Sequence, residues 1–131
     1  MGSELVVTEA WNRQKDVSAE EGLIALGYNR KRYGQWARIY QYAKLYLYGP
    51  SSGLYSCPLA MTDGAAKTLE ELHLLENPLF ENAYQRLTSR DPATFWTSGQ
   101  WMTEKGGGSD VAGGTETVAV PVDQQRHRLY G

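Results

Sequence analysis

The stretch Tyr33–Tyr48, YGQWARIYQYAKLYLY, decides the fold class of this chain. Its large apolar side chains recur at i, i+3, i+4 and i+7, which is the spacing of one helix face. This stripe consists of Trp36, Ile39, Tyr40, Ala43, Tyr46 and Leu47. Gly49 and Pro50 follow and end the pattern. The spacing predicts a helix whose apolar stripe is buried inside a bundle.

Weaker helical patterns lie on either side of this stretch. Ser18, just before Glu20, predicts a helix start. Thr62 and Asp63 have the chemistry of a helix N-cap. Leucines at a spacing of three then indicate a helix face that ends near Asn77, and they are Leu69, Leu72 and Leu75. A further helix is predicted over Pro78–Leu87.

After Pro92 the apolar pattern changes from helical spacing to alternation. Phe95–Thr103 is rich in aromatic and β-branched residues and predicts a strand. Valines alternate with other residues over Thr115–Val122, which predicts a strand. Residues 123–126 can form a turn that leads the chain back into a second strand at His127–Tyr130. The predicted fold class is mainly α with a small antiparallel β portion (α+β), with a helical part at 1–92 and an incomplete sheet at 93–131.

Composition limits the class of protein. The 131 residues carry a net charge of −2 and are 41% hydrophobic, without an apolar run near the about 20 residues that a membrane span needs. We therefore expect no membrane span. The start, Met1–Glu4, lacks a secretory signal pattern, and the single Cys57 cannot form an internal disulfide, so we expect an intracellular location.

Cysteine and histidine chemistry is sparse. Neither His73 nor His127 is placed by sequence to pair with Cys57, which we interpret as a buried structural thiol. Two His and one Cys do not form a zinc-type ligand pattern, so no metal site is predicted.

The segment 28–55 supports an alternative function. No Asp or Glu occurs from Gly22 to Thr62, where five basic residues are interleaved with aromatic rings. Such a mixture is typical of proteins that bind single-stranded nucleic acid. Helix-spaced rings are more often packed in a core, so nucleic-acid binding stays a secondary hypothesis.

The stretch Trp101–Asp110, WMTEKGGGSD, is the sharpest local motif. Successive glycines let backbone N–H groups approach an anion or a flat ring, because no Cβ intervenes and positive φ is accessible. A flexible hairpin loop is the alternative interpretation. The motif is neither a Walker P-loop nor a Rossmann fingerprint.

This motif resembles a known family. Thr103–Val111, preceded by Trp101 and Met102, is similar to the first flavin-contacting strand and loop of the acyl-CoA dehydrogenases. Cys57–Ala65 and the region Ala43–Gly53 resemble the adaptive-response, AidB-like branch, as does Lys105 where the family usually has proline. The resemblance extends from about Trp11 to Gly131. It implies FAD as cofactor and α,β-dehydrogenation of an acyl thioester as the parent reaction.

The resemblance also implies site residues. Those expected to contact FAD are Gln100, Trp101, Met102, Thr103, Gly108 and Ser109. Those expected to contact acyl-CoA are Thr103, Ser109 and Thr62.

Family members run to several hundred residues, and a C-terminal helical domain supplies the catalytic glutamate and most of the tetramer interface. No residue here matches that base. The resemblance therefore implies a partial acyl-CoA dehydrogenase-like fold: residues 1–92 are a helical segment of the N-terminal α domain, and 93–131 are the first strands of a truncated flavin-binding β domain. We expect a catalytically inactive fragment that binds FAD weakly or not at all. A cofactor-free fragment that assembles with itself or with the missing C-terminal domain is the remaining alternative.

Overall fold

A computed structural model of the chain describes residues 6–122 and 127–130. One compact unit ends at Gly99, and a second begins at Gln100. In chain order the elements are α1 (Glu9–Glu20), α2 (Ala25–Tyr28), α3 (Arg30–Tyr33), α4 (Ala37–Tyr48), α5 (Ser56–Glu71), α6 (Pro78–Leu87), α7 (Val111–Gly114), β1 (Val118–Pro121) and β2 (His127–Tyr130). Short 3-10 turns lie at Gly34–Trp36, Gly49–Ser51 and Leu74–Glu76. The predicted mainly helical class is confirmed, with a smaller β portion than expected.

The first helix begins earlier than predicted. Thr8 is the N-cap of α1, and its side chain accepts a hydrogen bond from the backbone N–H of Trp11 at 3.2 Å. Ser18 lies inside α1, where its hydroxyl donates to the carbonyl of Gln14 at 2.6 Å. The predicted start at Ser18 is therefore wrong, because its hydroxyl bonds backward within the helix instead of capping it.

Helix α4 covers the later part of the predicted stretch Tyr33–Tyr48, from Ala37 onward, and its buried face is not the predicted one. Ala37 and Gln41 are buried, and Leu45 and Tyr48 pack against the core. The predicted stripe is exposed instead, from Trp36 through Leu47. Gln41 can be buried because its amide nitrogen donates to the carbonyl of Leu23 at 3.0 Å and its oxygen accepts from Arg38 at 2.8 Å.

The core of the first unit joins α1, the turn after it, α5 and the segment after α6. Its buried members are Ala19, Leu23, Ile24, Tyr55, Leu59 and Phe95. The ring of Trp11 meets that of Tyr55 edge to face, with centroids 4.7 Å apart. Burial of each large apolar side chain contributes about 1.5–3 kcal/mol, so these few residues hold the helices together.

Helix α5 differs from its sequence prediction at both ends. It ends at Glu71, and His73 follows in the left-handed region at φ 53°. Thr62 lies within α5, so its predicted N-cap role is wrong. Cys57 is exposed in the first turn of α5, which contradicts a buried thiol. The predicted helix Pro78–Leu87 is confirmed as α6, with Asn77 as its cap.

The predicted strand Phe95–Thr103 does not form. The backbone N–H of Trp96 donates to the carbonyl of Arg86, and that of Ser98 donates to the Thr62 hydroxyl, so these groups bond to helices and not to a neighbouring strand. In the second unit β1 and β2 pair antiparallel, with Val118 opposite Tyr130. The predicted turn at 123–126 lies outside the described residues.

Candidate functional site

The second unit contains a cavity beside the glycine-rich loop. Its volume is about 420 Å³, within the range of small-molecule sites. The lining residues are Trp101, Thr103, Glu104, Lys105, Gly106, Glu116 and Thr117. Trp101 is 97% exposed, so its indole ring is available to a ligand. The cavity thus combines an aromatic face with polar groups at its edge.

The six residues expected to contact FAD are all exposed in the described structure. Trp101 and Thr103 line the cavity, whereas Gln100, Met102, Gly108 and Ser109 do not. Among the described residues, the Thr103 hydroxyl has no protein hydrogen-bond partner. An exposed indole and a free hydroxyl on one wall fit one side of a flat ring with a polar edge, as the isoalloxazine of FAD has.

The glycines of the loop differ in what surrounds them. A Cβ on Gly107 would lie 3.4 Å from the carbonyl oxygen of Gly114, which is ordinary van der Waals contact, so Gly107 lies beside Gly114 within the loop. Gly106 and Gly108 face open space. None of the three has positive φ, so the left-handed backbone that is accessible to glycine is not used at Gly106–Gly108. Within the loop, Gly107 therefore contacts Gly114, whereas Gly106 and Gly108 have space beside them.

Glu104 holds the two ends of this loop together. One carboxylate oxygen accepts from the backbone N–H of Glu116 at 2.8 Å, and the other from that of Thr117 at 2.9 Å. Hydrogen bonds from the Thr117 side chain and from these two N–H groups lower the pKa of the Glu104 carboxyl. Sequence reasoning missed this role, because no local spacing signals a bond across twelve residues.

Thr62 belongs to the first unit and is fully buried, at 0% exposure. Its hydroxyl donates to the carbonyl of Pro58 at 2.7 Å and accepts from the backbone N–H of Ser98 at 3.0 Å. The predicted contact of Thr62 with acyl-CoA stays a prediction. The hydroxyl has both a donor and an acceptor role within the protein.

The basic segment 28–55 is largely neutralised by ion pairs. Its pairs are Arg30 with Glu70 at 2.6 Å, Arg38 with Asp63 at 2.6 Å, and Lys44 with Glu21 at 2.5 Å. Burial and a hydrogen bond with Asp63 raise the pKa of Tyr28, which also packs under Arg38. These pairs reduce the positive charge available to a phosphate backbone.

Helices α4 and α5 border a second cavity in the first unit, of about 610 Å³. Its lining is mainly apolar and comprises Tyr42, Leu45, Tyr46, Ser56, Leu59, Ala60 and Asp63. Within residues 6–122 and 127–130, no group of three or more His, Cys, Asp or Glu side chains is arranged to hold a metal ion. No helix in the same ranges has the length and apolar character needed to cross a membrane.

The chain is similar to proteins of known family. It is 54% identical over 128 residues to acyl-CoA dehydrogenase family member 11 of Caenorhabditis elegans, a match over 97% of this chain and 21% of that protein. The crystal structure of Caenorhabditis elegans ACDH-11 in complex with C11-CoA superposes with a TM-score of 0.89 at 53% identity, over 98% of this chain and 22% of that one.

The apo form of Bd2924 gives a TM-score of 0.85 at 48% identity, over 98% of this chain and 26% of that chain. No protein-family model matches the sequence. The chain thus spans about a fifth to a quarter of the length of the relatives that it matches. Over nearly its whole length, this chain is similar in both sequence and fold to a segment of ACDH-11.

Proposed function

We propose that this chain contributes part of the FAD and acyl-CoA binding surface of an acyl-CoA dehydrogenase. The parent reaction would be α,β-dehydrogenation of an acyl thioester. The observation that carries the proposal is the exposed Trp101–Thr103 wall beside the glycine loop, in a chain 53% identical to ACDH-11, whose structure contains C11-CoA. FAD, when bound, supplies the hydride-accepting chemistry.

The residues of the loop have binding roles in this proposal. Trp101 would lie against the flavin ring, and Thr103 would bond to its polar edge with the hydroxyl that is free in the described structure. Main-chain groups at Gln100 and Met102 would follow the same edge. Gly108, which is exposed, would lie along the FAD, and the exposed Ser109 would meet the acyl thioester or its pantetheine arm.

No residue of the chain is proposed as the catalytic base. Glu104 and Glu116 are the carboxylates that line the cavity, and the Glu104 oxygens accept hydrogen bonds from two backbone N–H groups, with the pKa of Glu104 lowered. A carboxylate with a lowered pKa is a weaker proton acceptor, and removal of a proton α to a thioester needs a base within hydrogen-bond reach. The chain by itself is therefore expected to be catalytically silent.

Titration of the purified 131-residue chain with FAD, followed by flavin fluorescence, tests the binding role. We expect weak binding that Trp101→Ala lowers further. Trp96→Ala is the matched control, because Trp96 is also exposed but belongs to the first unit. Equal FAD affinity in the Trp101→Ala and unaltered chains would contradict the proposed site. Oxidation of an acyl-CoA with a dye acceptor would contradict the expected inactivity.

The finer assignments are also proposals. Cys57–Ala65 and Lys105 support the AidB-like branch within the family. One cysteine without an internal disulfide partner supports an intracellular location.

The exposed apolar face of α4 supports an assembly role as the second candidate function. This face includes Ile39, Tyr40, Tyr46 and Leu47, and the exposed Trp36 lies in the turn just before the helix. Contiguous apolar surface of this kind marks interaction sites. Sedimentation that finds a monomer at every concentration would exclude self-assembly. Retention of labelled single-stranded DNA at low salt would instead favour the nucleic-acid alternative.

A further inference from the structure

The Glu104 side chain connects the beginning of the glycine-rich loop to the residues that follow its end. Its two carboxylate oxygens accept one hydrogen bond each from consecutive backbone N–H groups, those of Glu116 and Thr117. The main-chain carbonyl of the same residue accepts from the N–H of Gly107 at 3.1 Å. One residue therefore fixes both the entry and the exit of the loop at 105–115.

The interior of the loop is also ordered by short-range bonds. The Asp110 carboxylate accepts from the N–H of Gly113 at 3.1 Å, and the Asp110 carbonyl accepts from the N–H of Gly114 at 2.9 Å. The Thr115 hydroxyl donates to the carbonyl of Val111 at 2.7 Å. These bonds fold the loop on itself, with Gly107 against Gly114. The bonds that Glu104 accepts from Glu116 and Thr117 join the loop to the residues that lead into β1.

Charge makes a carboxylate well suited to this role. Hydrogen bonds to an ionised acceptor are roughly twice as strong as those between neutral groups. Glutamine at the same position has one acceptor oxygen, and its NH₂ group would face a backbone N–H donor. The lowered pKa of Glu104 agrees with an ionised carboxylate that the two N–H groups stabilise.

We propose that Glu104 is a positioning residue that holds Gly106–Ser109 in the conformation in which the loop meets the flavin and the acyl thioester. The inference rests on the proposed function for the identity of the ligands. Glu104 itself acts through the loop backbone, while Trp101 and Thr103 supply the contacting groups in the same cavity. The role differs from that of a general base, which would need a carboxylate free to accept a proton.

The experiment compares the unaltered chain with Glu104→Gln, Glu104→Asp and Glu76→Gln. Glu76 is exposed in the first unit, so Glu76→Gln removes the same charge away from the loop. Amide hydrogen exchange, read by NMR without ligand, reports the bonds to Glu116 and Thr117 directly. FAD titration of the same proteins reports the consequence for binding.

We expect Glu104→Gln to accelerate exchange at Glu116 and Thr117 at least tenfold and to weaken FAD binding about tenfold. Glu104→Asp keeps the charge on a shorter side chain, so it should retain part of the exchange protection at Glu116 and Thr117 and part of the FAD affinity. Glu76→Gln should change neither. The amide of Leu59, in the core of the first unit, should stay protected in every variant and so shows that the chain is folded.

Unchanged exchange at residues 116 and 117 in Glu104→Gln would overturn the proposal. Accelerated exchange with unchanged FAD affinity would also overturn it, because the loop conformation would then not matter for binding. An unaltered chain that binds no measurable FAD would instead contradict the weak binding that the proposed function expects of this chain by itself. In that case the exchange rates alone would decide whether Glu104 positions the loop.

Discussion

The backbone N–H of Ser98 donates a hydrogen bond to the hydroxyl oxygen of Thr62 at 3.0 Å, across 36 residues of sequence. The same hydroxyl donates to the carbonyl of Pro58, one turn earlier in α5. The Thr62 hydroxyl thereby bonds back to its own helix and also supports the segment around Ser98, which has no regular secondary structure.

Thr62→Val should destabilise the first unit. Valine has nearly the same shape as threonine but cannot accept from Ser98, so a partly buried N–H loses its partner, at a cost of about 1–2 kcal/mol. Thr62→Ser retains the hydroxyl and is the control for the hydrogen bond. Urea unfolding at constant m-value measures the difference. Equal midpoints for valine and the unaltered chain would show that the bond does not contribute.

The sequence predicted where α4 lies but not which side of it is buried. Apolar spacing identified Trp36 to Leu47 as a core stripe, whereas the buried side contains Gln41. Hydrophobicity alone could not reveal this face, because Gln41 is accommodated by bonds to Leu23 and Arg38 that depend on the tertiary fold. The exposed stripe is real apolar surface, so the pattern was correct while its assignment to the core of this chain was not.

Replacement of one leucine on each side tests this burial. Leu47 is 77% exposed on α4, and Leu59 is 1% exposed in the core. We expect Leu47→Ala to change the free energy of unfolding by less than about 0.5 kcal/mol. Leu59→Ala should lower it by about 2–5 kcal/mol, since it leaves a cavity. Similar losses for both variants, measured by urea unfolding, would show that the α4 stripe is buried in solution.

Glu70 should make the stability of the chain sensitive to acid. Arg30 bonds both Glu70 oxygens, at 2.6 and 2.8 Å, and Lys67 adds a third bond. These contacts, that with Arg30 first, lower the pKa of Glu70 from 4.5 to about 2. The folded-state pKa lies below the unfolded one, so the stabilisation is complete above pH 4.5 and is lost as the pH falls towards 2.

The comparison of Glu70→Gln with Glu76→Gln isolates this contribution. Because Arg30 is largely exposed, we expect a loss of about 0.5–1 kcal/mol for Glu70→Gln at pH 7. The difference from the unaltered chain should shrink between pH 4.5 and 2, the interval between the two pKa values. Unfolding midpoints recorded across this interval provide the measurement. A difference that stayed constant with pH would contradict the ion pair as its cause.

The candidate site could be predicted from sequence as a motif but not as a geometry. Trp101 and Thr103 were expected at the flavin, and they line one cavity. Glu104 was treated as part of the binding strand, since its partners at 116 and 117 are remote in sequence and offer only backbone groups. A strand was expected from Phe95, yet strand formation needs a partner, which local propensity does not provide.

Gly27 and Gln41 should be strongly coupled. A Cβ on Gly27 would lie 2.0 Å from the side-chain oxygen of Gln41, so even alanine forces that amide to move. The φ of Gly27 is not positive, and alanine favours helix by up to about 1 kcal/mol over glycine, so any destabilisation reflects the contact and not the backbone. We expect Gly27→Ala to cost about 1–3 kcal/mol, as overpacking does.

A double-mutant cycle with Gln41→Ala separates the contact from other effects. Gln41→Ala alone should be destabilising, because the carbonyl of Leu23 loses its partner. In that background the Gln41 amide is gone and Arg38, 2.9 Å from the Cβ position, is the remaining close neighbour of residue 27, so Gly27→Ala should cost clearly less than in the unaltered chain. The coupling energy from urea unfolding should then reach about 1 kcal/mol or more. The same penalty for Gly27→Ala in both backgrounds would mean that Gln41 is not what requires glycine there.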